Sequence, residues 1–338
     1  MNTAVHMVVP AGIDDPAQPS GGNTYDRRVR DGLGASGWAV HVHEVSGPHA
    51  ALANALARLP DDSVVLLDGL VASPAPDVLV PESRRLRLVV LVHMPLGQPE
   101  PDERERAVLT AVDSVVTTSA WARSVLLELY RLRADRVHVA EPGVEAAGLA
   151  PGTATGGSLL SVAAVIPGKG HDVLVDALAG LNGHRWRCLC VGSVERDPAF
   201  VEHLRRRAGR MNGRMRFSGA LPEEDLARSY QAADLLVLPS RGETYGMVVA
   251  EALARGLPVV AAEVGGVPEA LGHGADGIRP GLLVPPGDPA ALREALRTWL
   301  EDAGLRRRLR VAARERRASL ADWSRTTSAV ADVLARAA

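Results

Sequence analysis

Two carboxylates with seven residues between them, Glu243 and Glu251, bracket the stretch Thr244-Tyr245-Gly246-Met247-Val248. Gly242 and Gly246 permit close backbone approach to a ligand, and the apolar pattern predicts a helix beginning near Gly246. The free N–H groups and positive dipole end of such a helix suit a diphosphate. Glu251 then lies about five residues into the helix, roughly 7–8 Å along its axis. Carboxylates repel phosphate, so the pair makes chemical sense as acceptors for hydroxyl groups on either side of it. A nucleotide sugar has that form, with ribose hydroxyls at one end and sugar hydroxyls at the other. The same residues also suit a capping carboxylate and a structural helix glutamate, and their spacing alone leaves both readings open.

More blocks stand around this pair in a fixed order over residues 158–300. They are Gly168-Lys169-Gly170-His171 with Leu174 and Ala177-Leu178, Gly219 through Tyr230 with Asp234, Gly265-Gly266-Val267-Pro268-Glu269, and Gly281 through Asp288. With Glu243-x7-Glu251 and the Ala-Leu-Ala-Arg-Gly-Leu-Pro-Val-Val that follows, they resemble the C-terminal signature of the family 4 glycosyltransferases. The resemblance implies a GT-B fold and an enzyme that transfers a sugar, with retention, from a nucleoside-diphosphate sugar (UDP- or GDP-sugar foremost). It implies no bound metal and no other cofactor. Glu243 is expected on the transferred sugar, Glu251 on the ribose, and Lys169 on the diphosphate. Thr244, Tyr245, Gly246, Met247 and Val248 complete the implied donor set. A preorganised ammonium can replace the divalent ion of other transferases. One place departs from the pattern. The family carries a Gly-Arg pair whose Arg stands five residues before this Lys, and here that place reads Ala163-Ala164. Arg241, near the helix start, is the candidate replacement. The departure bears on donor type or catalytic strength.

In the N-terminal half, Ser20-Gly21-Gly22-Asn23 resembles the family's first-loop glycine pair, so Gly21 and Gly22 join the donor-side candidates. His93 ends an apolar run at a place where the family puts a His facing the sugar. It joins Lys169 and Glu243 as a catalytic candidate. Asn23, Asp26 and Ser119 are acceptor-side candidates, with Arg27 beside them. Ser119 equally suits the N-cap of a helix starting at Ala120. No G-x-G-x-x-G follows a strand, so a dinucleotide fingerprint is not supported.

These residues need a frame. At 338 residues the chain exceeds the roughly 250–300 over which one core keeps growing, so two domains are expected. Short Val/Leu-rich runs cover 4–10, 39–45, 64–68, 86–93, 114–119 and 136–141. A second set covers 159–165, 185–191, 215–217, 235–239, 258–261 and 281–284. Helical patterns fall between them, among others at 104–111, 122–130, 171–179 and 292–301. Such alternation predicts parallel sheets, buried on both faces, that bind ligands beyond their carboxyl ends. The fold class is α/β: two Rossmann-like doubly wound domains facing across a cleft. Residues 1–145 form the acceptor side and 158–320 the nucleotide-sugar side. The Gly/Pro-rich 146–157 reads as a linker, and 321–338 as a helix whose candidate resting place is the N-terminal domain.

A net charge of −2 lacks the basic footprint of a nucleic-acid binder. Cys188 and Cys190, the only cysteines, would share one face of a strand and read as small core residues. The start of the chain lacks a leader pattern and no run is long enough to span a membrane, so a cytoplasmic protein is expected. No basic amphipathic helix with exposed aromatics stands near the N-terminus, which favours a soluble small-molecule acceptor over a lipid. The rival readings are a sugar-nucleotide epimerase or phosphorylase of the same fold, and a nucleotide-sugar-binding pseudo-transferase. Oligomeric state is left open.

Overall fold

The computed structural model describes residues 4–15, 20–47, 49–97 and 99–338, so residues 1–3 of the stretch read for a leader lie outside it. Every predicted apolar run becomes a strand. The first six are β1 (Ala4–Pro10), β2 (Ala39–Val45), β3 (Val64–Asp68), β4 (Arg87–Val92), β5 (Ser114–Thr117) and β6 (Val137–Val139). They pair in the order β2-β1-β3-β4-β5-β6, all parallel. The second six are β7 (Ser158–Val162), β8 (Arg187–Val191), β9 (Met215–Gly219), β10 (Leu235–Leu238), β11 (Val259–Ala262) and β12 (Gly281–Val284). Their order is β12-β11-β10-β7-β8-β9, again parallel throughout.

The central strands read as unbroken Val and Leu because helices cover both of their faces: every residue of β3, β10 and β11 is buried. Each fully buried Val or Leu contributes roughly 1.5–3 kcal/mol, so these short strands hold the sheets together without many aromatics. Cys188 and Cys190 are free and buried in the same core as Leu159, Leu235 and Trp299.

The chain divides into two compact units, residues 1–143 with 321–338, and residues 144–320. The C-terminal helix Trp323–Ala337 packs against helix Gly21–Ala35 in the first unit. Its Val330, Val333 and Leu334 join Val5, Met7, Val29 and Leu33 in one apolar cluster. The stretch 146–157, read above as a linker, is fastened to the second unit. Ala150 N–H donates to the Arg255 carbonyl at 2.9 Å. The fully buried Asp234 carboxylate accepts from Thr153 Oγ1 at 2.6 Å, from Ser158 N–H at 2.9 Å and from Arg310 at 2.7 Å. The buried Trp299 donates its indole N–H to the Gly156 carbonyl at 2.8 Å. The segment lacks apolar periodicity because its anchors are backbone groups and one distant carboxylate.

In both sheets the strand order reverses at one place, between β1 and β3 in the first and between β7 and β10 in the second. Open α/β sheets hold their ligands beyond the strand ends at such a switch point. The loops that matter are therefore those after β7 and β10, and those after β1 and β3.

Candidate active site

In the second unit the switch point brings Lys169 and Glu243 together. Lys169 ends a short turn, Pro167–Lys169, after β7, and its ammonium lies 2.6 Å from Glu243 Oε1. Ser240, just beyond β10, donates its hydroxyl to the same oxygen at 2.7 Å. Among the described residues no hydrogen bond falls on Glu243 Oε2. Gly170 closes the turn at φ +67°, and a Cβ there would stand 2.0 Å from the Pro239 carbonyl oxygen. Only glycine lets the two loops come this close. Arg241 N–H donates to the Gly168 carbonyl at 2.9 Å, which ties the same loops.

Arg241, the candidate second phosphate cation, is engaged by a carboxylate and a carbonyl across the loops. Its guanidinium forks onto Asp172 at 2.9 and 2.6 Å and donates to the Pro167 carbonyl at 2.5 Å. A guanidinium held by a carboxylate in this bidentate way positions loops rather than offering free charge.

Helix Met247–Ala254 starts from Gly246 at φ +92°, a left-handed conformation that favours glycine. Val249 N–H turns back onto the Gly246 carbonyl at 2.8 Å, so the N–H groups of Met247 and Val248 are those aimed out of the helix start. Both side chains are half-buried, whereas Tyr245 packs in the core. Gly266 packs closely against the half-buried Thr244, where a Cβ would stand 2.2 Å from the Thr244 carbonyl oxygen. Glu251 lies on the first turn and a half, and its Oε2 accepts from the buried Tyr230 hydroxyl at 2.7 Å. Burial raises the Glu251 carboxyl above its ordinary range, against the Tyr230 hydrogen bond. Arg255 stacks over the Tyr230 ring at 4.6 Å and donates to the Glu251 carbonyl at 2.8 Å. Tyr230 and Arg255 thus fix the expected ribose acceptor. Their part in it was not read from the sequence: 21 residues separate Tyr230 from Glu251, and only the sheet order unites them.

His171, next to Lys169, begins helix His171–Ala179 fully buried, and neither ring nitrogen has a partner among the described residues. Burial pushes its imidazole down to about 4, with Lys169 adding to the effect and Asp172 opposing it. A base with a lowered folded pKa favours the fold while neutral. The stability it permits is complete above its unfolded value near 6.5 and is lost as pH falls from there towards 4. Between pH 7 and pH 5 the native chain should therefore lose about 2 kcal/mol more than His171→Leu. Urea unfolding of both at the two pH values measures this, and equal acid sensitivity would refute it.

In the first unit Ser20 caps helix Gly21–Ala35 by accepting from Asn23 N–H at 3.0 Å, with Gly21 exposed and Gly22 and Asn23 half-buried at its start. Behind them lies a cluster that the sequence did not disclose. His93, just after β4, places Nε2 at 2.9 Å from Asp26 Oδ1 and 3.4 Å from Asp68 Oδ2. Asp26 comes from the helix and Asp68 from the end of β3, where it also caps helix Gly69–Ala72. A Cβ on Gly22 would lie 3.4 Å from the His93 ring, and Tyr25 meets that ring edge-on at 5.3 Å. Burial alone would lower the His93 imidazole, but Asp26 and then Asp68 overturn this and hold it up at about 10. Burial pushes Asp26 up to about 6 against the pull of His93. Asp68, whose burial also opposes ionisation, is nonetheless held below its ordinary value by His93. The ligating atoms of the three lie within 4.8 Å of one another, a spacing that would admit a metal ion as well as a charged imidazole.

Two acceptor candidates are corrected by this geometry. Asp26 is fully buried and faces His93, so it supports that ring instead of meeting a ligand. Ser119 is fully buried and accepts from Ala122 N–H at 3.0 Å as the cap of helix Ala120–Tyr130. Arg27 donates to the Ile13 carbonyl at 2.5 Å. Asn23 keeps its place at the helix start, half-buried. In the second unit a cavity of about 790 Å³ opens beside Ser158, Arg187 and Arg214, at the starting ends of β7 and β8. It lies at the opposite end of the strands from Lys169 and Glu243, so volume does not locate the site.

Residues 157–302 match the family model described as glycosyl transferases group 1. The D-inositol 3-phosphate glycosyltransferase of Jonesia denitrificans is 33% identical over 259 residues, covering 69% of this chain and 60% of that protein. The protein of the same name from Xylanimonas cellulosilytica is 35% identical over 262 residues, covering 71% and 61%. The alignments thus span about three fifths of these relatives' lengths. Among solved structures, a glycosyltransferase from Rickettsia africae superposes with a TM-score of 0.79 at 19% identity, covering 99% of this chain and 98% of that one. Anabaena Alr3699/HepE, in complex with UDP-glucose, gives 0.77 at 20% identity, covering 98% and 99%. The Thermosynechococcus elongatus sucrose-phosphate synthase gives 0.79 at 23%, covering 98% of each. Residues 157–302 thus match the glycosyl transferases group 1 model, and the two parallel sheets have the GT-B fold of these solved structures.

Proposed function

We propose that the protein is a retaining, metal-independent glycosyltransferase that moves a sugar from a nucleoside-diphosphate sugar to a hydroxyl of a small polar acceptor. The observation that carries this reading is the Lys169–Glu243 pair, held 2.6 Å apart at the switch point beside the start of helix Met247–Ala254. UDP is the first choice of donor base because the similar HepE binds UDP and UDP-glucose. A polyhydroxylated acceptor agrees with relatives named for D-inositol 3-phosphate. Among the described residues no helix is long and apolar enough to cross a membrane, and a cytoplasmic location goes with this reading.

In the proposed reaction the N–H groups of Met247 and Val248 receive the diphosphate, Glu251 takes the ribose and Glu243 Oε2 a sugar hydroxyl. Lys169 turns from Glu243 to the distal phosphate as the anomeric C–O bond breaks and negative charge grows on the leaving oxygen. The acceptor oxygen bonds to the anomeric carbon from the same face, and its proton passes to the departing diphosphate. His93, charged and backed by two carboxylates, presents its ring edge beside Gly22 on the first unit.

A thermal-shift panel of UDP-, GDP-, ADP- and TDP-sugars tests the proposal. A donor at ~100 times its dissociation constant adds about 2.7 kcal/mol, and Glu251→Ala should remove most of that gain. No shift with any member would sink the reading. The Ala163-Ala164 departure favours one alternative, a nucleotide-sugar-binding protein without turnover. Saturable donor binding with no transfer to any of a broad panel of hydroxylated acceptors would support it instead.

A further inference from the structure

Three of the chain's ten histidines meet on an edge of the first sheet, outside the candidate site. His6 lies on β1 and His41 and His43 on β2, the outermost strand. The parallel register sets His6 opposite His41 and Val8 opposite His43. Alternation then turns all three imidazoles to one face. His6 Nδ1 stands 3.0 Å from His43 Nε2. The His6 ring stacks on His41 at 5.0 Å and tilts against His43 at 5.3 Å. His41 is exposed and the other two half-buried. Among the described residues no carboxylate pairs with any of the three.

We propose that His6, His41 and His43 form a binding site for a divalent transition-metal ion of the zinc type. Two nitrogens 3.0 Å apart can both lie about 2.0–2.1 Å from one ion. Their hydrogen bond now places a proton between them, and binding moves it to the far nitrogen of the same ring, with no net release. Rotation of the exposed His41 ring out of its stack on His6 brings in the third ligand and leaves a position for water. Imidazole ligates only when neutral. An imidazole of ordinary pKa, about 6.5, is largely neutral at pH 7.5 and so able to ligate. An ion here would clip the edge strand β2 to β1. His6 lies in the first half of β1, whereas Asp68 ends β3 and His93 follows the end of β4. The site therefore has no part in the transfer proposed above.

The test is calorimetric titration of ZnCl2 into the intact, untagged, chelator-treated chain. One ion per chain should bind at pH 7.5, at least tenfold more weakly at pH 5.5, and should raise Tm. His41→Gln, on an exposed position, and His43→Gln should each weaken binding at least tenfold with unchanged circular dichroism, while His93→Gln binds zinc as the native chain does. Absence of binding at millimolar zinc would overturn the proposal. So would native-like binding by His41→Gln and His43→Gln, or loss of binding in His93→Gln, which would move the ion to the buried Asp26–Asp68–His93 cluster.

Discussion

Lys169→Ala should lower the turnover of sugar transfer by about 10²–10³, equivalent to roughly 2.7–4 kcal/mol of transition-state stabilisation. The size follows from how few cations face the diphosphate. The place that would carry a second one reads Ala163-Ala164, and Arg241 is held by Asp172 through two hydrogen bonds. Lys169, with its ammonium on Glu243 Oε1, is the charge that can be redirected to the leaving group. Because that need grows as the C–O bond breaks, kcat should fall far more than donor affinity. Ser240 continues to hold Glu243 Oε1 when Lys169 is gone, so the sugar-side carboxylate stays in place. Steady-state kinetics with the donor identified by thermal shift decides the matter. A loss of less than tenfold would mean that another group carries the departing charge.

Asp234→Ala should cost about 3–5 kcal/mol of stability, the largest effect expected of a residue outside the site. Its carboxylate is fully buried and receives Thr153, Ser158 and Arg310 together. Truncation strands those donors and leaves the Arg310 guanidinium, largely shielded from water, without its counter-charge. Asp234→Asn keeps the shape and some acceptors and should fall between the two. Urea unfolding monitored by circular dichroism measures both. A change under 1 kcal/mol in the Ala variant would show that the segment before β7 finds other anchors.

The strands were legible because burial on both faces leaves a simple trace in one dimension: runs such as Val64–Asp68 and Leu235–Leu238 are apolar at every step or nearly so. Strand order was legible only in kind, and with it the meeting of Lys169 and Glu243, separated by 74 positions. What stayed hidden were side chains whose partners lie far along the chain. Nothing near Asp26 or Asp68 marks them as supports of His93, since the order β1-β3-β4 brings them together. Arg241 looked free because Asp172 stands across another loop. Ser119 allowed two readings until its buried hydroxyl was found on Ala122 N–H. The Gly/Pro-rich residues before β7 read as a tether because composition reports local freedom, whereas Asp234 and Trp299 impose restraint from a distance.

The return of helix Trp323–Ala337 to the first unit has a consequence for how the molecule comes into being. On the ribosome, β1 to β6 emerge first, yet the apolar seam formed by Val5, Met7, Val29 and Leu33 lacks Val330, Val333 and Leu334 until translation has passed through the whole second unit. The half made first is thus the half finished last. In that interval the nascent protein carries an open greasy flank, the kind of surface that recruits chaperones or sticks to neighbours.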